Sequence, residues 1–181
     1  YSSRIELKKW SEKVAALDIV LECAGQQPYK LAQPSSSINY IPLIGDMKKL
    51  LSHTHFAVCN KAMQVLSMLS QGVGEKLFPY LRPFMTPLLK LSKDKKLTKG
   101  VAACLDSFFG NILGFEHLLD ESDGLAVSLD EKKERNAVAR VSAMEYLGRC
   151  AQRCESAGKR GNLRIEQAEC AAALCSHKLS D

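Results

Sequence analysis

The chain has 181 residues, of which 46% are hydrophobic and 25% are charged, and its formal net charge is +5. This composition is ordinary for a soluble globular protein and excludes an intrinsically disordered chain. No apolar stretch reaches the about 18 residues that a transmembrane helix needs, so no membrane partner is expected. The length predicts one domain with a substantial core.

Seven cysteines are spread over the chain without a Cys-x-x-Cys pair, so their spacing does not favour a zinc site. Most of them stand among Ala, Leu and Val, which is typical of reduced, buried thiols in a cytosolic protein. The sequence also lacks the phosphate-binding loops and the hydrolase and metalloprotease motifs that have a known chemistry. We therefore expect no enzyme, no cofactor and no metal.

Helical periodicity extends over almost the whole chain, without alternating strand patterns. In chain order, the pattern predicts helices that begin near Ser11, span 40–52, begin near Phe56, span 76–92, begin near Thr98, span 114–129, begin near Ala137 and span about 163–178. The four named starts recur about every 40–45 residues, which is the period of HEAT-type repeats. The sequence thus predicts an all-α HEAT-repeat solenoid, in which neighbouring helix pairs bury each other's apolar faces.

Prolines and a polar segment interrupt this helical pattern. Pro79 fits the first turn of the helix over 76–92, where no intrahelical N–H bond is lost, whereas Pro83 and Pro87 are expected to bend that helix. The segment 25–39 is rich in Gly, Pro, Ser and Gln and is predicted to be a flexible loop between repeats.

The loops inside the helix pairs carry basic and aromatic residues. In a stack of repeats these loops share one edge, and here they contain Lys8–Trp10, His53–Phe56, Lys93–Lys96 and Lys132–Asn136. The lysines of the third loop stand at a helix N-terminus, where positive charge opposes the helix dipole. An electrostatic cost that stability does not explain favours an acidic partner at this edge.

These segments resemble the TOG domain of microtubule polymerases and of the related CLASP proteins, and are closer to the polymerase branch. The stretch "KKWSEKVAALDIVLECAG" is similar to the family's first repeat, and residues 56–109, with their "KDKK" loop, are similar to its second and third repeats. The stretch "ERNAVARVSAMEYLGRC" resembles the loop and second helix of the fourth repeat. The four motifs follow the family's order and spacing over nearly the whole chain.

The resemblance implies a flat paddle whose intra-repeat loops bind αβ-tubulin. The matching positions are Trp10 in the first loop, Thr54, His55 and Phe56 in the second, Lys95 and Lys96 in the third, and Arg135, Asn136 and Arg140 in the fourth. Family members usually have a smaller residue in place of Phe56, and the fourth loop here is longer and carries Glu131 and Glu134. The implied setting is the cytoplasmic cytoskeleton, at microtubule ends, the spindle or the centrosome, with the isolated domain a monomer.

The ends of the chain lead to a further expectation. The polar N-terminus has no initiating Met, and the family has six repeats whereas this sequence stops within the fifth. We therefore expect residues 1–181 to form one TOG-like domain that is truncated within its fifth repeat.

Several residues have two interpretations. Ser11 as an N-cap would place Trp10 just before the helix, where it could pack on Ala15 in a purely structural role. The register of Trp10 with Val14 and Leu17 also allows burial in the core. The flanking lysines and the resemblance favour contact with a partner. Phe56 is compatible with either an exposed or a packed position.

Two other functions compete with a tubulin-binding module that regulates microtubule growth. A generic HEAT scaffold would bind partners through its helical faces rather than through its loop edge. Nucleic-acid binding through the basic edge is a third option, which the 20 acidic residues of the chain disfavour.

Overall fold

The computed structural model describes residues 9–118, Leu125, Leu129 and 135–156. Within these ranges the regular elements are helical, apart from an isolated bridge between Phe109 and Leu113. The predicted all-α fold is therefore confirmed. No helix in the described ranges is both long and apolar enough to cross a bilayer. The predicted helix over about 163–178 lies outside the described residues.

The helices follow one another in the predicted order. They are α1 (Trp10–Ala24), α2 (Ile41–Leu51), α3 (Phe56–Val73), α4 (Phe78–Leu81), α5 (Met85–Leu91), α6 (Thr98–Phe108), α7 (Phe115–Leu118) and α8 (Ala137–Ser156). Two 3-10 segments, Gly74–Leu77 and Arg82–Phe84, precede α4 and separate it from α5. The four helices that were predicted to recur begin within one residue of the predicted positions.

The prolines divide the helix predicted over 76–92 into short segments. Pro79 occupies the first turn of α4, and Pro83 lies in the 3-10 segment between α4 and α5. Proline has no N–H to donate and its ring crowds the preceding turn, so a regular α-helix cannot continue through Pro83. The predicted interruption is confirmed at Pro83, whereas Pro87 lies within α5.

The central helix of the fold is α3, which contacts α1, α2 and α6. Its buried residues are Val58, Cys59, Ala62, Met63, Val65, Leu66, Met68, Leu69, Ser70 and Val73. Residues at these positions point to several sides of the helix, as a middle repeat with neighbours on several sides requires. All of them except Ser70 belong to one apolar cluster that extends from Leu17 in α1 to Cys150 in α8.

Polar contacts show that α1 and α3 run in the same direction. The ring of Trp10 lies on that of His55, at the start of both helices, and Lys61 binds Asp18 at 2.6 Å about two turns later. Beyond the end of α1, the side chain of Gln27 bonds that of Gln71, which lies near the end of α3. Since successive contacts occur further along both helices, α1 and α3 are parallel.

The same argument holds for α3 and α6. The Asn60 amide donates to the carbonyl of Lys96 at 3.5 Å, just before α6 begins, and the hydroxyls of Ser70 and Ser107 lie 3.0 Å apart near its end. Parallel helices place their N-termini on one side of the molecule, as expected for the second helices of stacked repeats. We call this side the loop edge.

The segment between α1 and α2 contains no helix and packs on the far end of α3. A Cβ atom on Gly72 would lie 2.5 Å from Cγ of Leu31, so glycine permits this close approach. The hydroxyl of Tyr40 donates to the carbonyl of Ala32 at 2.8 Å. The flexibility expected for residues 25–39 stays a prediction.

Three of the cysteines that the structure describes are buried, and Cys23 is exposed. Burial raises the pKa of Cys104 and of Cys150 to about 12, so both thiols stay protonated near neutral pH. These are inert, packed side chains, as expected. The described ranges also contain no group of three or more His, Cys, Asp or Glu side chains that could hold a metal ion.

Candidate partner-binding edge

Trp10 is the first residue of α1, and 47% of its surface is exposed. The N-cap is Lys9, whose side chain makes no capping bond. The prediction that Ser11 caps the helix and leaves Trp10 outside it is therefore wrong, because the helix begins one residue earlier. Burial of Trp10 in the core is also excluded, although Leu17, two turns along, is fully buried.

Two histidines determine the shape of the second loop. Nδ1 of His53 accepts the backbone N–H of His55 at 2.9 Å, and Nδ1 of His55 accepts the N–H of Ala57 at 3.3 Å. The second bond makes His55 the N-cap of α3, a position usually taken by Ser, Thr, Asp or Asn. An accepting Nδ1 carries no proton, so each imidazole holds its proton on Nε2.

Aromatic rings from two loops form a continuous stack at the edge. The ring centroids of Trp10 and His55 are 3.9 Å apart and their planes differ by 7°. The rings of His55 and Phe56 follow at 5.1 Å and 16°. Nζ of Lys96 then lies 5.1 Å from the centre of the Phe56 ring, within the range of a cation–π contact. We call these four residues the loop-edge stack.

Phe56 is both exposed and packed, which answers the question that its sequence position left open. It is the first residue of α3 and is 42% exposed. Its ring nevertheless contacts the ring of His55 in the same loop and lies under Nζ of Lys96 from the third loop. The position where the family usually has a smaller residue therefore joins the second loop to the third.

A turn centred on Asp94 presents the lysines of the third loop. Its carboxylate accepts the backbone N–H of Lys96 at 2.9 Å, and its carbonyl accepts the N–H of Leu97 at 2.9 Å. Leu97 is buried and anchors the turn, whereas Lys95 and Lys96 are exposed. Sequence reasoning placed both lysines correctly on the surface.

The fourth-loop residues lie at the start of α8. The side-chain oxygen of Asn136 accepts the N–H groups of Val138 and Ala139 at 2.9 and 3.3 Å, so Asn136 caps this helix. Arg135 is exposed and Arg140 is half-buried. Glu131 and Glu134 of the same loop lie outside the described residues. A binding role for Arg135, Asn136 and Arg140 stays a prediction.

Lysines also lie at the ends of α2 and α5, the helices that precede the second and third loops. Lys48 and Lys49 occupy the last turn of α2 and Lys90 that of α5, where they complement the partial negative charge of a helix C-terminus. The sequence analysis missed them because it considered only the loops. Because α2 and α5 end where the second and third loops begin, lysines in the last turns of the two predicted helices could have been assigned to the edge from the sequence.

We expect the chain to lose stability as the pH falls through about 6.5. Burial lowers the pKa of His53 from its ordinary 6.5, and the charges of Lys13 and His55 act in the same direction. The unfolded chain therefore binds this proton first, so the free energy of unfolding decreases from near pH 6.5 down to the lower pKa of the folded state. Urea denaturation between about pH 7.5 and 5 measures the effect.

The control for this pH dependence is a variant without this histidine. His53→Gln removes the titrating group and should flatten the decline. A decline that is equally steep in wild type and in His53→Gln would contradict the assignment.

Comparisons with known proteins agree with this architecture. The family model described as Parkin co-regulated protein matches residues 26–108, which is less than half of the chain. Centrosomal protein 224 of Dictyostelium discoideum is 24% identical over 119 residues, which are 65% of this chain and 6% of that protein. The chain therefore spans only a small part of this relative.

A solved structure gives the likeness in fold. It comes from work on tubulin recruitment and assembly by microtubule polymerases with TOG domain arrays, and it covers 99% of this chain and 35% of its own, with a TM-score of 0.73 and 17% sequence identity. The likeness shows that this chain has a TOG-like, HEAT-type all-α fold. The polymerase branch, in contrast, stays a prediction.

Proposed function

We propose that this chain is a tubulin-binding module of a microtubule-associated protein, and that it binds αβ-tubulin through the loop edge to regulate microtubule growth. The observation that carries the proposal is the loop-edge stack, in which an exposed Trp10 lies on His55, His55 stacks on Phe56, and Lys96 lies over the Phe56 ring. The TOG-like fold and the similarity to a centrosomal protein support a microtubule-related role.

The chemistry of the edge suits a large, acidic protein surface. Trp10 offers a broad apolar area that is already exposed, and such side chains dominate the energy of protein interfaces. The exposed lysines of the third loop, with Lys48 at the end of α2, bias the same edge toward a positive potential, whereas Lys49 pairs with Asp46 at 3.4 Å. That potential increases the rate of association with an acidic partner and orients the two proteins.

This role needs binding and no catalysis, cofactor or membrane. The chain would hold tubulin on a fixed edge, and further modules in the same protein would raise the local tubulin concentration. We place it in the cytoplasm, on the cytoskeleton at microtubule ends, the spindle or the centrosome, and as a monomer when isolated.

A generic HEAT scaffold remains the second candidate, and one observation favours it. A groove of about 430 Å³ lies between α2 and the segments α4 and α5, and its walls include Ile41, Tyr80, Pro83 and Pro87. Ile41 and Tyr80 are 46% and 41% exposed. Because Ile41 begins α2 and Tyr80 lies in α4, which follows α3, this part of the groove lies away from the loop edge. Variants at Tyr80 therefore distinguish the two candidates.

Reversing the charge of the third loop tests the proposed function. We expect Lys95→Glu with Lys96→Glu to weaken binding to soluble αβ-tubulin at least about tenfold, since two favourable charges become repulsive and the Phe56–Lys96 contact is lost. Co-elution at low salt detects the complex, and titration at two salt concentrations measures its affinity. Wild-type affinity should fall as salt is added.

The matched control carries the same change in charge on the opposite side of the molecule. Lys30 and Lys76 are exposed near the far end of α3, and Lys30→Glu with Lys76→Glu should bind like wild type. Equal weakening by both pairs would indicate attraction by net charge alone. If the wild-type chain fails to co-elute with tubulin, the proposed function is wrong for this chain.

A further inference from the structure

One side chain joins the first two loops of the edge. The imidazole of His55 stacks on Trp10 at 3.9 Å and on Phe56 at 5.1 Å, while its Nδ1 accepts the N–H of Ala57. His55 is half-buried, whereas both of its ring neighbours are exposed. A residue in this position is better placed to support the exposed rings than to meet a partner itself.

We propose that His55 is a positioning residue, which holds Trp10 in one orientation so that αβ-tubulin meets a preformed aromatic surface across two repeats. The identity of the partner rests on the proposed function. The positioning itself is a property of the free chain and can be tested without tubulin.

Trp10 needs such support because its own helix does little to hold it. It is the first residue of α1, so no preceding helical turn restricts its side chain, and the N-cap Lys9 provides no side-chain bond. A mobile tryptophan would lose its rotational freedom on binding and weaken the complex accordingly. Stacking at 3.9 Å with nearly parallel planes restricts that freedom in advance.

The imidazole does two things that other side chains do only separately. Its face stacks on Trp10, and its Nδ1 caps α3 through Ala57, which fixes the ring relative to the helix. The backbone of His55 is fixed in turn, because Nδ1 of His53 accepts its N–H. Asparagine would keep the cap without a ring, and phenylalanine would keep a ring without the acceptor.

These two substitutions separate the stack from the cap in the free chain. Trp10 is the single tryptophan, so fluorescence reports on it alone. In His55→Asn we expect the quenching of Trp10 emission by acrylamide to increase roughly twofold, since one ring face becomes accessible. In His55→Phe the quenching should stay near the wild-type value. Equal quenching in wild type and His55→Asn would overturn the positioning role.

Binding to tubulin provides the second measurement. We expect His55→Asn to weaken tubulin binding roughly tenfold, whereas His55→Phe should bind nearly as tightly as the wild-type chain. The double variant Trp10→Ala with His55→Asn should bind tubulin only slightly more weakly than Trp10→Ala alone, because His55 acts through Trp10. Fully additive losses would overturn the proposal. His55→Asn should keep the wild-type circular dichroism, since asparagine is itself a preferred N-cap.

A measurement on the wild-type chain does not depend on how the variants fold. NMR should show cross-peaks between the indole protons of Trp10 and the imidazole protons of His55 in the absence of tubulin. Missing cross-peaks would overturn the positioning role. Cross-peaks in a chain that fails to bind tubulin would support the positioning of Trp10 and show that the proposed function is wrong.

Discussion

Trp10→Ala is expected to reduce the affinity of this chain for αβ-tubulin by at least about 2 kcal/mol, which is roughly 30-fold. The side chain is 47% exposed at the loop edge and is stacked on His55, so it offers a large area at a small cost in conformational freedom. Isothermal titration with soluble tubulin at low salt measures the change.

The folded state should tolerate this substitution. Trp10 is the first residue of α1 and lies outside the apolar core, so we expect its removal to change the free energy of unfolding by less than about 1 kcal/mol. A loss of binding with unchanged unfolding would locate the effect at the interface.

Tyr80→Ala is the matched control for Trp10→Ala. Tyr80 is also an aromatic residue with a similar exposure, 41%, but it lies beside the groove between α2 and α4. Tubulin binding through the loop edge predicts wild-type affinity for Tyr80→Ala. If Tyr80→Ala weakens binding and Trp10→Ala does not, the partner binds the helical face, as the scaffold alternative requires.

Tyr146→Ala is expected to lower the free energy of unfolding by about 3–5 kcal/mol, the usual cost of deleting a buried aromatic ring. Tyr146 belongs to α8 and is fully buried, and its hydroxyl donates to the carbonyl of Leu105 in α6 at 2.9 Å. Burial raises its pKa well above the ordinary value of 10.0, so the hydroxyl stays a donor over the accessible pH range. Chemical denaturation followed by circular dichroism measures the loss.

Tyr146→Phe separates packing from hydrogen bonding at the same position. The ring remains, and the carbonyl of Leu105 still accepts the N–H of Phe109 at 3.2 Å, so no buried acceptor is left without a partner. We therefore expect a loss of only about 1 kcal/mol. Losses of equal size for Tyr146→Phe and Tyr146→Ala would show that the hydrogen bond, and not the ring, holds α8 on α6.

The number of unfolding transitions in Tyr146→Ala provides a second test. One apolar cluster runs from α1 to α8, so Tyr146→Ala should still unfold in a single transition. Two transitions in this variant would mean that α8 forms a separate cooperative unit.

The order of the helices and the positions where they begin could be predicted from the sequence because they depend on local sequence features. Apolar periodicity and turn residues determine where α3, α6 and α8 begin. Proline acts on its own turn, so the first-turn position of Pro79 and the interruption at Pro83 could be predicted. The start of α1 was placed one residue late because the prediction relied on Ser11 as a cap, whereas the structure uses Lys9 without a side-chain bond.

Most residues of the loop edge could also be predicted from the sequence. A repeat of about 40–45 residues places successive loops side by side, so basic and aromatic residues at matching positions were expected to gather there. The structure brings Trp10, His55, Phe56 and Lys96 into contact. Whether they bind tubulin stays a prediction.

What only the tertiary structure decided is how these residues are held. The contact between Trp10 and His55 joins positions 45 residues apart, and its distance and angle depend on how α1 packs on α3. No local sequence pattern specifies that packing, so the residues around Trp10 did not decide whether its side chain is buried or exposed. By itself the sequence determined where the loops would gather, because repeat spacing and helix starts are local properties. The fold determined that residues of these loops form one stack, because ring contacts depend on the position of neighbouring helices in space.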